Sequence, residues 1–347
     1  MLAYVLTLAM TATVLVGCTG TTVVIENPAG NETTAENTEV AEVTEGAVKT
    51  GLAVSASLSG EAATAENNGV VTTDISLVAV TVNDNGVIES CAIDAVQGKV
   101  AFDQAGALAS EPGEILSKNE LGDDYGMRVA SPIGKEWNEQ AAHIAAYAVG
   151  KTVEELKTKA IDENGVVADA DLASGATIYM GSFIWAIEAA VNNAQHLGAN
   201  AGDELVLVAN TKASGTDAAA DAEGATQVDA NVAVFTLNGD TITSCIIDSI
   251  QAKAAFDAEG VAAEIADPTV LTKAQLGENY GLKAYSPIGK EWNEQVTAFC
   301  EYVTGKTVEE VQKIALTETT APADADLAAS VSIAVGDFMG LVDKLAK

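Results

Sequence analysis

Across 347 residues, 17 Lys+Arg stand against 50 Asp+Glu, a formal charge of −33. A field of that sign repels nucleic acid and anionic lipid headgroups, which argues against both as partners. Hydrophobic residues reach 48% but aromatics only 5%, so the chain can fill two ordinary domains, with cores built from Ala and Val more than from rings.

Residues 1–17 form one apolar run that ends Leu15-Val16-Gly17-Cys18. The run is short for a membrane span and stops at Thr- and Gly-rich sequence. It reads as a lipoprotein signal peptide, with Cys18 as the lipid-modified first residue of the mature chain, although the basic residues that usually open such a signal are missing. A diacyl or triacyl anchor at Cys18 would hold on a membrane where a single chain is marginal. Residues 18–48 are rich in Thr, Glu, Asn and Ala without hydrophobic periodicity and read as a disordered tether. About 30 residues of flexible coil span roughly 30 Å, enough to stand a domain off the membrane.

Two copies of one pattern follow, at 49–197 and 198–347. Asp74 to Val82 is β-branched and partly alternating, Asn83-Asp84-Asn85-Gly86 supplies a positive-φ turn, and Val87 to Ala95 is the returning strand. The second copy gives the same hairpin from Asn231 to Leu237 and Thr241 to Ile250, around Asn238-Gly239-Asp240. Lys118-Asn-Glu-Leu-Gly122 with Tyr125-Gly-Met127 is matched by Lys273-Ala-Gln-Leu-Gly277 with Tyr280-Gly-Leu282, a polar loop or short helical turn.

Ser131 to Gln140 is identical to Ser286 to Gln295. Its Ser-Pro pair predicts a helix start, and Trp137, Ala141, Ile144, Ala145 and Ala148 recur at helical spacing, so that face is buried. Glu136 with Glu139, and Glu291 with Glu294, could serve acid/base work but read first as a solvated face. Gly150-Lys-Thr-Val-Glu-Glu155 recurs as Gly305 to Glu310. Gly ends one helix, and Thr152 or Thr307 caps the next with Glu155 or Glu310 completing a capping box. A phosphate-loop reading of Gly-Lys-Thr fails, because the upstream glycine and the preceding strand are missing.

Each copy closes on a short apolar run and a capped helix. Ser182 is the expected cap in the first copy, before a stripe of Phe183, Ile187, Ala190, Val191 and Ala194. Asp337 takes that place in the second, before Phe338, Leu341, Val342 and Leu345. The pattern predicts an α+β fold: in each copy a strand hairpin, three helical segments and a short strand. Cys91 and Cys245 hold equivalent positions, which allows either an inter-domain disulfide or two small buried hydrophobes. Cys300 is the remaining cysteine. No residues have metal-ligand spacing, and His143 and His196 read as surface or packing residues on helices.

Just before that last helix stands Asp171-Leu-Ala-Ser174-Gly175-Ala176-Thr177, aligned with Asp326-Leu-Ala-Ala329-Ser330-Val331-Ser332. The first of these resembles the attachment motif of the FMN-binding domain family, Asp-x-x-Ser/Thr-Gly-Ala-Thr-x-Ser/Thr, with Tyr179 in place of the trailing Ser/Thr. The lipobox, tether and tandem copies resemble the extracellular electron-transfer lipoproteins of Gram-positive bacteria within that family. The resemblance implies two tandem FMN-binding-like domains, the second with a degenerate motif. It also implies FMN joined by a flavin transferase through a phosphoester to Thr177, with Asp171, Ser174, Gly175 and Ala176 forming the site. Tyr125 and Met127 are candidates to bed the ring, while Trp137 and Trp292 suit core packing. Electrons would pass from a membrane donor to an extracellular acceptor on the outer face of the cell membrane. Gly175 and Ala176 would leave room for the transferase. The alternative is a non-redox surface lipoprotein whose copies are cofactor-free binding or structural modules, and a third reading is non-covalent ligand capture in a cleft between them.

Overall fold

The computed structural model describes residues 46–162, 167–178 and 180–346. The signal run, Cys18 and the expected tether up to residue 45 lie outside the described residues. Residues 46–48 of that tether belong to the fold: Val48 is buried, and its N–H bonds the carbonyl of Ala199.

The first half opens with three long antiparallel strands, β1 (Lys49–Glu61), β2 (Gly69–Val82) and β3 (Ile88–Phe102), then β4 (Gly113–Ile115). Helices α1 (Lys118–Leu121), α2 (Trp137–Ala148), α3 (Val153–Lys159), α4 (Ala170–Gly175) and α5 (Met180–Asn192) follow. The second half repeats this as β5 (Glu204–Thr216), β6 (Gly224–Asn238), β7 (Thr241–Phe256) and β8 (Thr269–Val270), then α6 (Lys273–Leu276), α7 (Trp292–Val303), α8 (Val308–Gln312), α9 (Ala325–Ala328) and α10 (Gly336–Asp343). The expected hairpins are the centres of β2–β3 and β6–β7. Their strands are longer than the sequence pattern indicates, and β1 and β5, which it missed, complete each meander. In the first turn Asn83 Oδ1 accepts the N–H groups of Asn85 and Val87, and Gly86 takes φ 76°.

The halves exchange strands. β4 of the first pairs with β5, and β8 of the second pairs with β1, giving two four-stranded antiparallel sheets ordered β3-β2-β1-β8 and β4-β5-β6-β7. Equivalent contacts are made reciprocally: Ala63 N–H bonds Gly260 O, and Ala218 N–H bonds Gly106 O, both at 2.7 Å. Phe102 and Phe256, at the ends of β3 and β7, stack on each other with centroids 4.2 Å apart and 7° between planes. The described residues, from 46 onward, therefore make one compact unit.

Three layers of apolar packing hold it. Helices of each half cover the outer face of their own sheet, and the sheets face each other across a shared core containing Leu77, Ala79, Val232 and Val234. Along β2 the side chains alternate: Val78 and Val80 face the helices, Leu77 and Ala79 the opposite sheet, all fully buried. A strand buried on both faces reads as a continuous apolar run, which is why alternation in this stretch was only partial. The architecture is α+β, with the shared core added to the two expected within the halves.

Several local expectations need correction. Ser131-Pro132 makes a turn closed by Gly134 N–H on Ser131 O at 3.0 Å, and α2 starts only at Trp137, with Glu136 as its cap. The stretch expected as a loop and short strand instead contains α4, capped by Asp169, whose Oδ1 accepts the N–H groups of Asp171 and Leu172. The last helix starts at Met180, three residues early, because burial of Met180 and Gly181 continues the apolar stripe upstream of Phe183. Asp337 lies inside the first turn of α10 and pairs with Lys212 at 3.1 Å, while Val335 holds the cap position. His196 follows α5 in the linker to the second half and contacts Asp84 at 3.0 Å. The capping boxes of α3 and α8 form as expected.

Candidate functional site

The first turns of α2 organise the region around Thr177. Glu136 and Gln140 are one turn apart on the inward face of that helix, 1% and 0% exposed. The carboxylate of Glu136 accepts the N–H groups of Met127 at 2.9 Å and Arg128 at 2.7 Å, fixing the loop that carries Tyr125. Its own N–H is capped by Glu139 Oε2 at 2.7 Å. Glu136 is thus a structural clamp and not part of a solvated face, whereas Glu139 is exposed as expected: a charge as deep as that of Glu136 is tolerable only with backbone donors on it.

Gln140 does the same for the motif. Its Oε1 accepts the N–H of Thr177 at 2.7 Å, the Thr177 hydroxyl at 3.2 Å and the N–H of Ile178 at 3.2 Å. Its Nε2 donates to Ser131 Oγ and to the carbonyl of Lys135, each at 3.2 Å. Thr177 itself is exposed. The result is a surface hydroxyl at a fixed position, three residues before the 13-residue helix α5, whose positive end favours an anion there.

The rest of the motif divides by burial. Asp171 and Ser174 are exposed, and Ser174 Oγ donates to Asp171 O at 2.7 Å. Gly175 and Ala176 are buried, so their small size serves packing and not access. A Cβ on Gly175 would stand 2.1–2.3 Å from the imidazole of His143, whose Nε2 also bonds Asp171 O at 3.1 Å. In the second half the equivalents are Ala298 and Ser330: where the ring is missing, a larger residue stands.

Tyr125, Met127 and Ile178 pack partly buried on the core that contains Trp137 and Phe183. Trp137 meets Phe183 edge-on at 6.1 Å, and Lys118 Nζ lies 4.8 Å from the Tyr125 ring centre and 5.1 Å from that of Trp137, close enough for cation–π attraction. Trp137 is core, as expected. Tyr125 and Met127 pack on the same core as Ile178, the residue after Thr177; sequence reasoning did not foresee the roles of Gln140 and Glu136 or the contacts of Lys118 and His143.

The second half keeps the clamp in full. Gln295 accepts from Ser332 N–H at 2.8 Å, Ser332 Oγ at 3.1 Å and Ile333 N–H at 3.2 Å, and donates to Ser286 Oγ and Lys290 O. Glu291 accepts from Leu282 and Lys283 N–H. Burial works to raise the Glu291 carboxyl, but backbone N–H bonds from Lys283, Trp292 and Leu282 outweigh it and hold the group below the usual carboxylate range. Lys212, Lys273, Tyr280, Leu282, Trp292, Ile333 and Phe338 line a cleft of about 400 Å³.

The cysteines do not bridge the halves. Cys245 Sγ lies 3.0 Å from Cys300 Sγ within the second half, while Cys91 is separate on β3. Burial pushes the Cys91 thiol up to about 12 and raises Cys245 well above its ordinary value, with Cys300 adding to the latter. Among the described residues no group of three or more His, Cys, Asp or Glu could hold a metal ion, and no helix is long and apolar enough to cross a membrane.

No family model matches the chain, and no solved structure matches it. Among curated proteins it is similar to a chlorophenol reductase of Desulfitobacterium hafniense, 54% identical over 41 residues. That stretch is 12% of this chain, and the chain spans 12% of the length of that relative.

Proposed function

We propose that the protein is a cell-surface electron carrier, lipid-anchored through Cys18, that holds FMN as a phosphoester on Thr177. The observation that carries this reading is an exposed hydroxyl held at a fixed position by a buried amide, within Asp171-x-x-Ser174-Gly175-Ala176-Thr177. Three features fit such a group: the hydroxyl is open to a transferase, the start of α5 favours the charge of its phosphate, and Tyr125, Met127 and Lys118 supply an apolar and cationic neighbourhood for a flat ring that gains negative charge on reduction. FMN would supply the redox chemistry, and the chain would position it between a membrane donor and an extracellular acceptor. In a protein of charge −33, free FMN would bind weakly, and a covalent link removes that difficulty.

In this reading the two halves are tandem FMN-binding-like domains, and the second, with Ser332 in a degenerate motif, is a spacer or docking surface. A second reading is favoured by a specific observation. The Gln295–Ser332 clamp survives without the Ser-Gly-Ala-Thr residues, so the clamp alone is consistent with a non-redox surface lipoprotein built of cofactor-free modules.

Co-expression of the full chain with a flavin transferase, followed by intact mass, separates the two. The first reading expects an increment of FMN less water that persists in Ser332→Ala and vanishes in Thr177→Val. An unmodified wild-type chain overturns it, and dialysable yellow colour instead supports non-covalent capture in a cleft.

A further inference from the structure

Cys245 on β7 and Cys300 on α7 are 55 positions apart, yet their sulfurs are 3.0 Å apart and their residues only 4% and 6% exposed. A disulfide requires about 2.05 Å, so closing the gap takes roughly a 1 Å shift of side chains already facing each other. In the first half the equivalent positions hold Cys91 and Ala145, so a partner exists in the second half alone. Both cysteines also line a cleft of about 820 Å³ between the halves, walled by Leu52 and Val54 of β1 and by residues 192–197. That cleft gives a small thiol reagent a route to an otherwise enclosed pair.

We propose that Cys245 and Cys300 form an intramolecular disulfide that staples α7 to the second sheet. The oxidant is a low-mass disulfide or a thiol–disulfide oxidoreductase. One cysteine thiolate attacks it, forming a mixed disulfide and releasing one thiol; the second cysteine then displaces the other. The pair loses two protons and two electrons, and the oxidant is reduced to two thiols. Because α7 carries Gln295 and is capped by Glu291, the bond fixes the helix that clamps Ser332 and the Leu282 loop. This holds whether or not Thr177 is modified.

The test reduces the folded full chain with a phosphine, desalts it, exposes it to oxidised glutathione without denaturant, and quenches in acid. Alkylation with iodoacetamide under denaturing conditions and a tryptic map follow. The expected map shows the Cys245 and Cys300 peptides as one linked species that the phosphine separates, and Cys91 alkylated. The oxidised chain should melt about 5 °C or more above the reduced chain, a gain lost in Cys300→Ser. Ala145→Cys should create the matching bond to Cys91 in the first half. Alkylated or glutathione-capped Cys245 and Cys300, or a link from either to Cys91, overturns the proposal.

Discussion

Replacing Gln140 by Leu tests the central claim that this amide positions the Thr177 hydroxyl. Leu has nearly the same volume, so the change removes polarity without opening a cavity. It leaves the N–H groups of Thr177 and Ile178 without their acceptor, and Ser131 Oγ and Lys135 O without their donor. A fully buried orphan costs about 1–3 kcal/mol. Thr177 is exposed and Ile178 half-buried, so water meets part of the loss, and about 3 kcal/mol in total is a reasonable sum over the site. For a unit of some 300 residues the entropy of unfolding is roughly 0.6 kcal/mol/K, and the expected drop in Tm is about 5 °C. Amide exchange at Thr177 and Ile178 should accelerate more than elsewhere on α4 or α5. The Gln295→Leu variant is the internal replicate, because its contacts match one for one. A Gln140→Leu chain that melts like wild type, with Thr177 exchange unchanged, would refute the clamp.

Gly175→Ala should destabilise by about 1–3 kcal/mol through overpacking on the His143 ring, and His143→Ala should restore most of that loss in a double-mutant cycle; additive losses would sink the contact. Burial holds the Asp94 and Asp248 carboxyls above the usual carboxylate range. A raised folded-state value means stability is fully present below the unfolded value of about 3.9 and is lost as pH rises through the folded one. Asp94→Asn and Asp248→Asn should therefore gain in Tm relative to wild type as pH climbs above about 3.5; a difference that stays flat as pH rises contradicts the assignment. Phe102→Ala removes one ring of the stack that joins the halves and should cost about 3–5 kcal/mol while the chain still melts in one calorimetric transition; separate melting of two halves would argue against the shared core.

How much of this was visible in the sequence depended on how local the cause was. Hairpins, the Thr152 and Thr307 capping boxes and the buried stripe of α2 follow from neighbours within a turn or two, and all were readable. The start of α2 was not, because Glu136 is a cap only by virtue of a loop nine residues earlier that needs its carboxylate. Strands β1 and β5 were missed because Gly, Ser and Thr dilute them, and their burial comes from the opposite sheet. Gln140 had one usable signal: a polar residue one turn from Glu136 on an otherwise apolar face, present in both copies of an identical decapeptide. The strand exchange through β4 and β8 had none, since two- and three-residue strands carry no periodicity.

The two copies act as a control for each other, and that sharpens what Thr177 means. Whatever both halves share, including the glutamine clamp, the glutamate under the Tyr125 or Tyr280 loop and the lysine over the aromatic pair, is sufficient to build the fold and cannot by itself indicate a cofactor. What differs is small and concentrated. His143 with Gly175 stands against Ala298 with Ser330, Ala176 against Val331, Thr177 against Ser332, and Ser174 against Ala329. The first two differences are explained by packing: a ring needs a glycine beside it, and both Ala176 and Val331 are buried core residues. Packing does not choose between Thr177 and Ser332, because neither is buried and their hydroxyls make the same bond to equivalent amides. The flavin proposal therefore rests on the chemistry around that hydroxyl and not on the scaffold beneath it. Exchanging Thr177 and Ser332 while leaving both clamps intact is the substitution that isolates it: modification that follows the threonine into the second half would assign recognition to the hydroxyl residue, and modification that stays in the first half would assign it to the Ser174-Gly175-Ala176 context.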